Sequence, residues 1–239
     1  HAKKFADQTK QEGLKRPTLV IALAVITFCT TCLAWLEIAG KFIENGQPLQ
    51  SALGNLAQGL PYAIALMLIL ATHELAHYVT AKKYKIQTTL PYFIPVLPLP
   101  WFPFGTLGAF IQMRSPIPNR KALFDVGIAG PVAGFLVALP LLLWGLAHSE
   151  LVPMPQKPEL FNFLAFDPKF SLLVTLASKL MLGSSLTAET AIKMHPLAVA
   201  SSLGLIVTAF NLMPVGQLDG GHIVHAMLGQ RAGAAVAQF

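Results

Sequence analysis

The hydrophobic positions of the chain fall into four long apolar runs, separated by polar or proline-rich connections. The runs cover about 19–39, 60–81, 123–147 and 197–214, and Glu37 is the one charged residue in the first of them. In a helix, about 20 apolar residues cross the hydrocarbon core of a bilayer. The pattern therefore predicts an all-α polytopic membrane protein, a helical bundle with about four or more transmembrane helices.

Composition agrees with this class, because 54% of the 239 residues are hydrophobic, 12% are charged and the mean hydropathy is +0.58. Residues 1–17 are interpreted as a basic cytoplasmic or stromal segment. Residues 18–40 are interpreted as a retained transmembrane anchor, since this run is too long and too well flanked for a secretory signal peptide. Residues 41–239 are the predicted membrane core. The start at His1 and the stop at Phe239 lead us to expect a fragment of a longer chain.

The basic residues predict the orientation of the spans. The connection 41–55 carries one cation, and the cations of 149–194 are balanced by acids. The positive-inside rule then places the amino terminus and residues 82–121 on the cytoplasmic or stromal side. No stripe of cations alternates with aromatic residues, so the net charge of +6 does not indicate a nucleic-acid partner. The six cations of residues 82–121 are Lys82, Lys83, Lys85, Arg114, Arg120 and Lys121.

Two histidines and a glutamate interrupt the second apolar run, in the sequence HELAH at residues 73–77. On a helix, His73 and His77 lie on one face about one turn apart, with Glu74 beside them. This spacing lets two imidazoles bind one Zn²⁺ while the glutamate reaches a metal-bound water. Each such group costs about 2.5–3.5 kcal/mol at the centre of a membrane helix unless it has a partner. The motif therefore predicts a metal site, and a polar network between helices is the alternative.

A zinc site with two histidines needs at least one further protein ligand and an open position for water. Asp219, in the sequence NLMPVGQLDGGH at residues 211–222, is the only acid after Glu189, and the predicted topology places it on the same side as the two histidines. The proline and the two adjacent glycines are expected to break the helix there. A membrane protein tolerates such a break only where protein shields the backbone or the backbone lines a water-filled cavity. An N-cap aspartate that starts the next helix is the alternative.

The two motifs together, HELAH within a span and N-x-x-P-x-x-x-x-D-G far downstream, resemble those of the site-2 protease family of intramembrane zinc metalloproteases, peptidase family M50. Over about residues 60–230, HELAHYVTAKKY, FDVGIAGPVAGF and the segment around Asp219 are most similar to its cyanobacterial and chloroplast branch. That branch contains the ethylene-dependent gravitropism-deficient and yellow-green proteases. The resemblance implies one Zn²⁺ per chain, held by His73, His77 and Asp219, and Glu74 as the catalytic base. One departure is Gly134, where many relatives have Asn in G-P-x-x-N.

The resemblance implies a multi-pass protease of a cyanobacterial or bacterial inner or thylakoid membrane, or of a chloroplast membrane, which cleaves transmembrane segments of other proteins. In such chemistry zinc activates water and polarises the carbonyl, and Glu74 takes the proton and returns it to the leaving amine. Asn211 could hydrogen-bond the oxyanion or the substrate backbone, and ordinary bonding between helices is the alternative. Two other classes stay open: a different membrane metalloprotease with a downstream glutamate as third ligand, and a zinc protein without proteolysis that acts in transport or regulation.

Residues 86–115 are apolar but cannot form a regular helix, because five prolines occur between Pro91 and Pro103. GTLGAFIQM, residues 105–113, has strand-like composition and predicts one arm of a re-entrant, partly β hairpin near the active site. Its edge at Gly105 and Gly108 could pair with a locally unwound substrate helix, strand on strand. The alternative is a segment that packs against the lipid interface through its aromatic residues.

Other polar residues receive lesser roles. Asp125 is interpreted as a charge partner at the start of the third run, beside Arg120 and Lys121. His222 and His225 could at most support the ligands, and His195 is expected at the far end of its span. Residues 170–183 are compatible with an interfacial helix.

Overall fold

Among the described residues, three of the four predicted apolar runs form helices long enough to cross a membrane. The computed structural model describes residues 17–38, 57–99, 102, 104–156, 162–163, 165–187, 189–216 and 218–229. The helices are α1 (Pro17–Ile38), α2 (Leu60–Lys83), α3 (Arg120–Ala147), α4 (Leu172–Leu182), α5 (Pro196–Asn211) and α6 (Asp219–Leu228). The strands are β1 (Tyr92–Pro95), β2 (Thr106–Phe110), β3 (Glu150–Pro153) and β4 (Thr190–Lys193).

Within the described residues, α1, α2 and α3 are long and apolar enough to cross a membrane, as the first three runs predict. The fourth run forms α5, whose 16 residues rise only about 24 Å, less than the roughly 30 Å of a hydrocarbon core. This helix ends at Asn211, three residues before the predicted end, because the chain turns there toward α6. A fourth span therefore stays a prediction. The last two residues of the predicted anchor, 39 and 40, lie outside the described residues.

α3 is the centre of the bundle and packs against α2, α5 and α6. Asn119 caps its start, since the side-chain Oδ1 accepts a hydrogen bond from the backbone N–H of Ala122 at 2.8 Å. Close packing depends on small residues: a Cβ at Gly145 would collide with the backbone of Ala198 in α5. The largest fully buried apolar side chains between α2, α3 and α5 are Tyr62, Leu66, Ile69, Leu142, Leu146 and Val199.

β1 and β2 pair antiparallel within the proline-rich region, which confirms a partly β hairpin there. Its tip is tied to two helices. The Thr30 hydroxyl of α1 donates to the Gly105 carbonyl at 2.7 Å, and the Tyr62 hydroxyl of α2 donates to the Phe104 carbonyl at 3.1 Å. Gly105 has a φ of +77°, and a Cβ there would collide with the backbone of α1. The hairpin is therefore held in place by the helices around it.

The opposite end of the bundle is closed by β3 and β4, which pair antiparallel with Glu150 opposite Lys193. The Lys193 ammonium donates to the Glu150 carboxylate at 2.8 Å. The backbone N–H of His195 donates to Ser149 Oγ at 2.9 Å and so joins the end of α3 to the start of α5. α4 exposes leucines at helical spacing, the apolar stripe expected of the interfacial helix predicted at 170–183. These are Leu172, Leu176 and Leu180.

Candidate active site

α2 places its two histidines and its glutamate in the interior of the bundle. His73, Glu74 and His77 are 4%, 7% and 5% exposed, whereas Leu75 and Val79 of the same helix are exposed. Glu74 follows His73 by about 100° around the helix and therefore approaches the same interior from the side. The three side chains thus share the buried face that their spacing predicts.

The ring nitrogens of the two histidines and one carboxylate oxygen of Asp219 converge on one point. The Nε2 atoms of His73 and His77 are 3.1 Å apart, and each lies 3.2 Å from Asp219 Oδ2. In a tetrahedral zinc site with bonds of about 2.0–2.1 Å, neighbouring ligand atoms are about 3.3 Å apart. The donor set and its spacing therefore fit one zinc ion with a fourth position for water. In the described part of the chain this is the one cluster of three such ligands.

Asp219 reaches the histidines because a tight turn separates α5 from α6. A Cβ at Gly220 would collide with the Leu212 carbonyl, and Gly221 packs against the carbonyl of Gly216, so the two adjacent glycines permit the turn. The N-cap residue of α6 is Leu218, and Asp219 makes no capping bond. The alternative of an N-cap aspartate is therefore wrong, because the Asp219 carboxylate contacts the two histidines and not the backbone at the start of α6.

α3 supports both histidines with its backbone and its glycines. Nδ1 of His77 donates to the Val126 carbonyl at 2.7 Å, which leaves the Nε2 lone pair free for a metal. A Cβ at Gly130 would collide with the His77 ring, and a Cβ at Gly134 would lie 3.2 Å from His73 Nδ1. The departure at Gly134 thus brings α3 close to His73, and the polar group that α3 supplies is a carbonyl.

A cavity of about 580 Å³ opens beside the metal ligands. Phe110 is 48% exposed and Gln112 is exposed, so the cavity is open to the surface along the hairpin. Its size lies in the range of sites that take small ligands or short peptide segments. The lining residues are Glu74, His77, Ala109, Phe110, Ile111, Gln112, Met113, Leu123, Val126, Gly127, Asn211, Leu218, Asp219 and His222.

The strand segment beside Glu74 has a free edge. Gln112 faces the β1 side, where its carbonyl accepts from the Thr89 N–H at 3.1 Å and its N–H donates to Thr89 Oγ1 at 3.0 Å. Backbone groups alternate between the two edges of a strand, so Ile111 and Met113 direct theirs toward the cavity. The Ile111 amide faces the Glu74 carboxylate. A substrate strand would therefore find its hydrogen-bonding partners next to the buried glutamate.

The cavity meets the hairpin after the two glycines at which the sequence predicts a substrate edge. Gly105 is packed against α1, and neither Gly105 nor Gly108 lines the cavity, whereas Ala109–Met113 do. The Gly105 carbonyl accepts hydrogen bonds from the Thr30 hydroxyl and from the Val96 N–H, so it faces α1 and β1. A substrate edge at Gly105 and Gly108 stays a prediction.

Of the remaining candidate residues, two line the cavity and one lies at the opposite end of the bundle. Asn211, the last residue of α5, lines the cavity, and its Nδ2 lies 3.4 Å from His73 Nε2. His222 also lines the cavity and His225 does not. His195 begins α5, at the end opposite Asn211, as predicted.

Asp125 has a different partner from the one that its sequence position indicates. Its carboxylate accepts a hydrogen bond from the Tyr84 hydroxyl, just beyond the end of α2. Asn119, and no acid, caps the start of α3. The interpretation of Asp125 as a charge partner for the helix start is therefore wrong. Instead it ties α2 to α3 one residue before the Val126 carbonyl that holds His77.

The fold and the site define a helical protein with three candidate membrane spans, whose candidate metal cluster of two histidines and an aspartate lies inside the bundle beside a buried glutamate. The chain belongs to peptidase family M50, whose family model matches residues 61–239. This membership agrees with the resemblance that HELAH and the downstream aspartate motif carry.

Named relatives come from plants. The chain is 35% identical over 208 residues to "Probable zinc metalloprotease EGY1, chloroplastic" of Oryza sativa subsp. japonica, an alignment of 82% of this chain and 34% of that protein. It is 36% identical over 177 residues to the protein of the same name in Arabidopsis thaliana, covering 72% and 30%. It is 32% identical over 197 residues to "Probable zinc metalloprotease EGY2, chloroplastic" of Arabidopsis thaliana, covering 80% and 34%. The chain spans about a third of the length of these curated relatives, and no solved structure matches it.

Proposed function

We propose that the chain is the catalytic core of an intramembrane zinc metalloendopeptidase that cleaves transmembrane segments of other proteins. The observation that carries the proposal is the convergence of His73, His77 and Asp219 at 3.1–3.2 Å, beside a buried Glu74 and a free strand edge. Family membership and the zinc metalloprotease names of the relatives support it. The word chloroplastic in the relatives' names supports a chloroplast as the location, and the long apolar helices support a membrane. In this proposal, α5 and the turn after it complete a fourth span.

The residues divide the reaction between them. When bound, zinc polarises the scissile carbonyl and lowers the pKa of its water to about 7. Glu74, which lines the cavity next to the ligands, takes a proton from the attacking water and returns it to the leaving amine. Asn211, whose Nδ2 lies 3.4 Å from His73 Nε2, would donate its amide N–H to the oxygen of the scissile carbonyl.

The free edge at Ile111 and Met113 positions the scissile bond. A transmembrane helix hides its backbone amides, so a substrate segment must first unwind before it can be attacked. Antiparallel or parallel addition to this edge replaces the hydrogen bonds that unwinding breaks. The same pairing brings the substrate backbone alongside Glu74, because the Ile111 amide faces that carboxylate.

The other function classes fit less well. A metalloprotease that uses a downstream glutamate as third ligand would need Glu189, whose carbonyl accepts from the Met154 N–H beside β3 and β4, at the opposite end of the bundle. A metal-binding role in transport or regulation gives no reason for a buried glutamate beside the ligands. Burial of a carboxylate is costly, and a catalytic base accounts for it.

The test compares the purified chain with Glu74→Gln and with Glu150→Gln, the same chemical change at an exposed glutamate of the opposite end. Bound zinc is counted, and cleavage of a model transmembrane substrate is measured in vesicles. We expect about one zinc per chain in all three proteins, and a loss of cleavage of at least about 100-fold in Glu74→Gln alone. Retained cleavage in Glu74→Gln would exclude Glu74 as the base.

A further inference from the structure

Two arginines lie in sequence next to the residues that line the cavity, and neither lines it itself. Arg114 directly follows Met113, the last lining residue of the extended segment 109–113. On α3, Leu123 and Gly127 line the cavity, and Arg120 shares their face because it precedes them by three and seven residues. We call Arg114 and Arg120 the basic rim.

The basic rim has no acidic partner among the described residues. Neither arginine belongs to any of the ion pairs found there. Asp125, the acid of α3 nearest in sequence, accepts its hydrogen bond from Tyr84. The positions of the arginines are nevertheless fixed: the Arg114 backbone N–H donates to the Gln87 carbonyl at 2.8 Å, and the Arg120 guanidinium lies next to Gly229 at the end of α6.

We propose that the basic rim selects substrates that carry acidic residues directly beyond the segment held in the cavity. An extended chain advances about 3.3 Å per residue, so a substrate strand paired at Ile111 and Met113 reaches the rim within a few residues. Guanidinium groups bind carboxylates through two parallel N–H donors, a geometry that lysine does not offer. The inference rests on the proposed function and gives that protease a substrate class.

Such a rim would also reject common membrane proteins. Ordinary transmembrane helices carry Lys and Arg at their cytoplasmic or stromal ends, and the basic rim repels those flanks. The general excess of cations at this end of the protein follows from the positive-inside rule alone. What that rule leaves open is the placement of two arginines, neither of which has an ion pair among the described residues, next to the residues of the hairpin and of α3 that line the cavity.

The experiment uses two substrates with the same transmembrane segment, flanked at this end by three acidic residues or by three of their amides. Cleavage is measured in vesicles of zwitterionic phosphatidylcholine, so that no anionic headgroup competes. Binding of both substrates to Glu74→Gln is measured in parallel, because it reports the preference without cleavage. Arg114→Gln removes the charge, Arg114→Glu reverses it, and Lys83→Gln is the control. Lys83 is exposed at the same end but lies nine residues after Glu74, on the opposite side of α2.

We expect the wild-type chain to favour the acidic substrate about threefold to tenfold in kcat/KM, mainly through KM, with the preference fading at high salt. Arg114→Gln should weaken the preference, Arg114→Glu should abolish or invert it, and Lys83→Gln should keep it. Equal binding and cleavage of the two substrates by the wild-type chain would overturn the inference and leave the proposed function intact. An equal effect of Lys83→Gln would assign the preference to the general charge of this face and also overturn it. Preferential binding without any cleavage would contradict the proposed function instead.

Discussion

Gly130 of α3 lies so close to His77 of α2 that no side chain fits between them. The contact holds the ring from one side while the Val126 carbonyl accepts from its Nδ1 at 2.7 Å. We therefore expect Gly130→Ala to displace the imidazole and to weaken zinc binding about 10- to 100-fold, the range seen when the support of a metal ligand is lost. Overpacking should also cost about 1–3 kcal/mol of stability. Zinc content after dialysis against a weak chelator and thermal unfolding measure the two effects.

Gly134→Ala gives a graded comparison on the same helix. A Cβ there would lie 3.2 Å from His73 Nδ1, a tight contact that a small shift relieves, so we expect a smaller loss of zinc. Val132→Ala, at an exposed position of α3, should bind zinc like the wild-type chain. Equal zinc affinity in Gly130→Ala and Val132→Ala would contradict the support that we assign to Gly130.

Replacement of Asp219 tests the third ligand. Asp219→Ala leaves two histidines, which is one protein ligand fewer than zinc sites of this kind have, so zinc content should fall well below one per chain. Asp167→Asn is the control, because Asp167 is a buried aspartate that bonds the Lys169 N–H at the far end. Unchanged zinc content in Asp219→Ala would remove this residue from the ligand set.

Zinc should also stabilise the fold, because its ligands come from α2 and α6, which are distant in sequence. At a free zinc concentration 100 times the Kd, binding contributes about 2.7 kcal/mol to the free energy of unfolding. A strong chelator should therefore lower the thermal midpoint of the wild-type chain and lower that of Asp219→Ala much less. If the chelator leaves the thermal midpoint of both proteins unchanged, zinc does not stabilise the fold.

The hydrogen bond from Thr30 to the Gly105 carbonyl should matter for stability and for cleavage. Thr30→Val keeps the shape and removes one hydrogen bond, while the Gly105 carbonyl still accepts from the Val96 N–H at 3.2 Å, so we expect a cost of about 0.5–1.5 kcal/mol. Cleavage should fall as well, because the hairpin tip loses its attachment to α1. Thr31→Val is the matched control: its hydroxyl bonds only carbonyls of its own helix, and the change should have little effect on thermal unfolding or on kcat/KM.

The exposed ion pair between Glu150 of β3 and Lys193 of β4 predicts a weak dependence of the stability on pH. The hydrogen bond and the charge of Lys193 lower the pKa of Glu150. A carboxylate whose folded-state pKa is lowered stabilises the fold above its unfolded pKa, and this contribution is lost as the pH falls through the folded pKa. Lys193→Gln should therefore lower the thermal midpoint slightly at neutral pH and not at all in acid below the pKa of Glu150. A difference that grows on acidification would contradict the assignment.

The convergence of the three candidate metal ligands was predictable, because each of these residues is conspicuous in the sequence. His73 and His77 have helical spacing inside an apolar run, and Asp219 is the only acid in the last 50 residues. Ionisable groups are expensive in a membrane, so their presence alone indicates a role. The same reasoning fails for Asp125, whose partner is a tyrosine 41 positions away.

The supports of the site were not predictable, because they carry no side-chain chemistry. The group that supports His77 is the backbone carbonyl of Val126, and every residue has such a carbonyl. Gly130 and Gly134 indicate close helix packing, but the sequence does not say which helix packs there. The cavity meets the residues after Gly105 and Gly108, and the Gly105 carbonyl itself bonds α1 and the β1 side. Such contacts depend on how distant segments pack, which hydrophobic periodicity does not encode.

The attachment of Gly105 to α1 bears on how the protein should be divided. The family model begins at residue 61, after α1 has ended. A fragment that begins at this boundary would keep the histidines and the aspartate of the candidate metal cluster. It would lose α1, the helix to which the hairpin is hydrogen-bonded. Efforts to define a minimal working protease should therefore draw their boundary before Pro17, with the first helix counted as scaffolding for substrate capture.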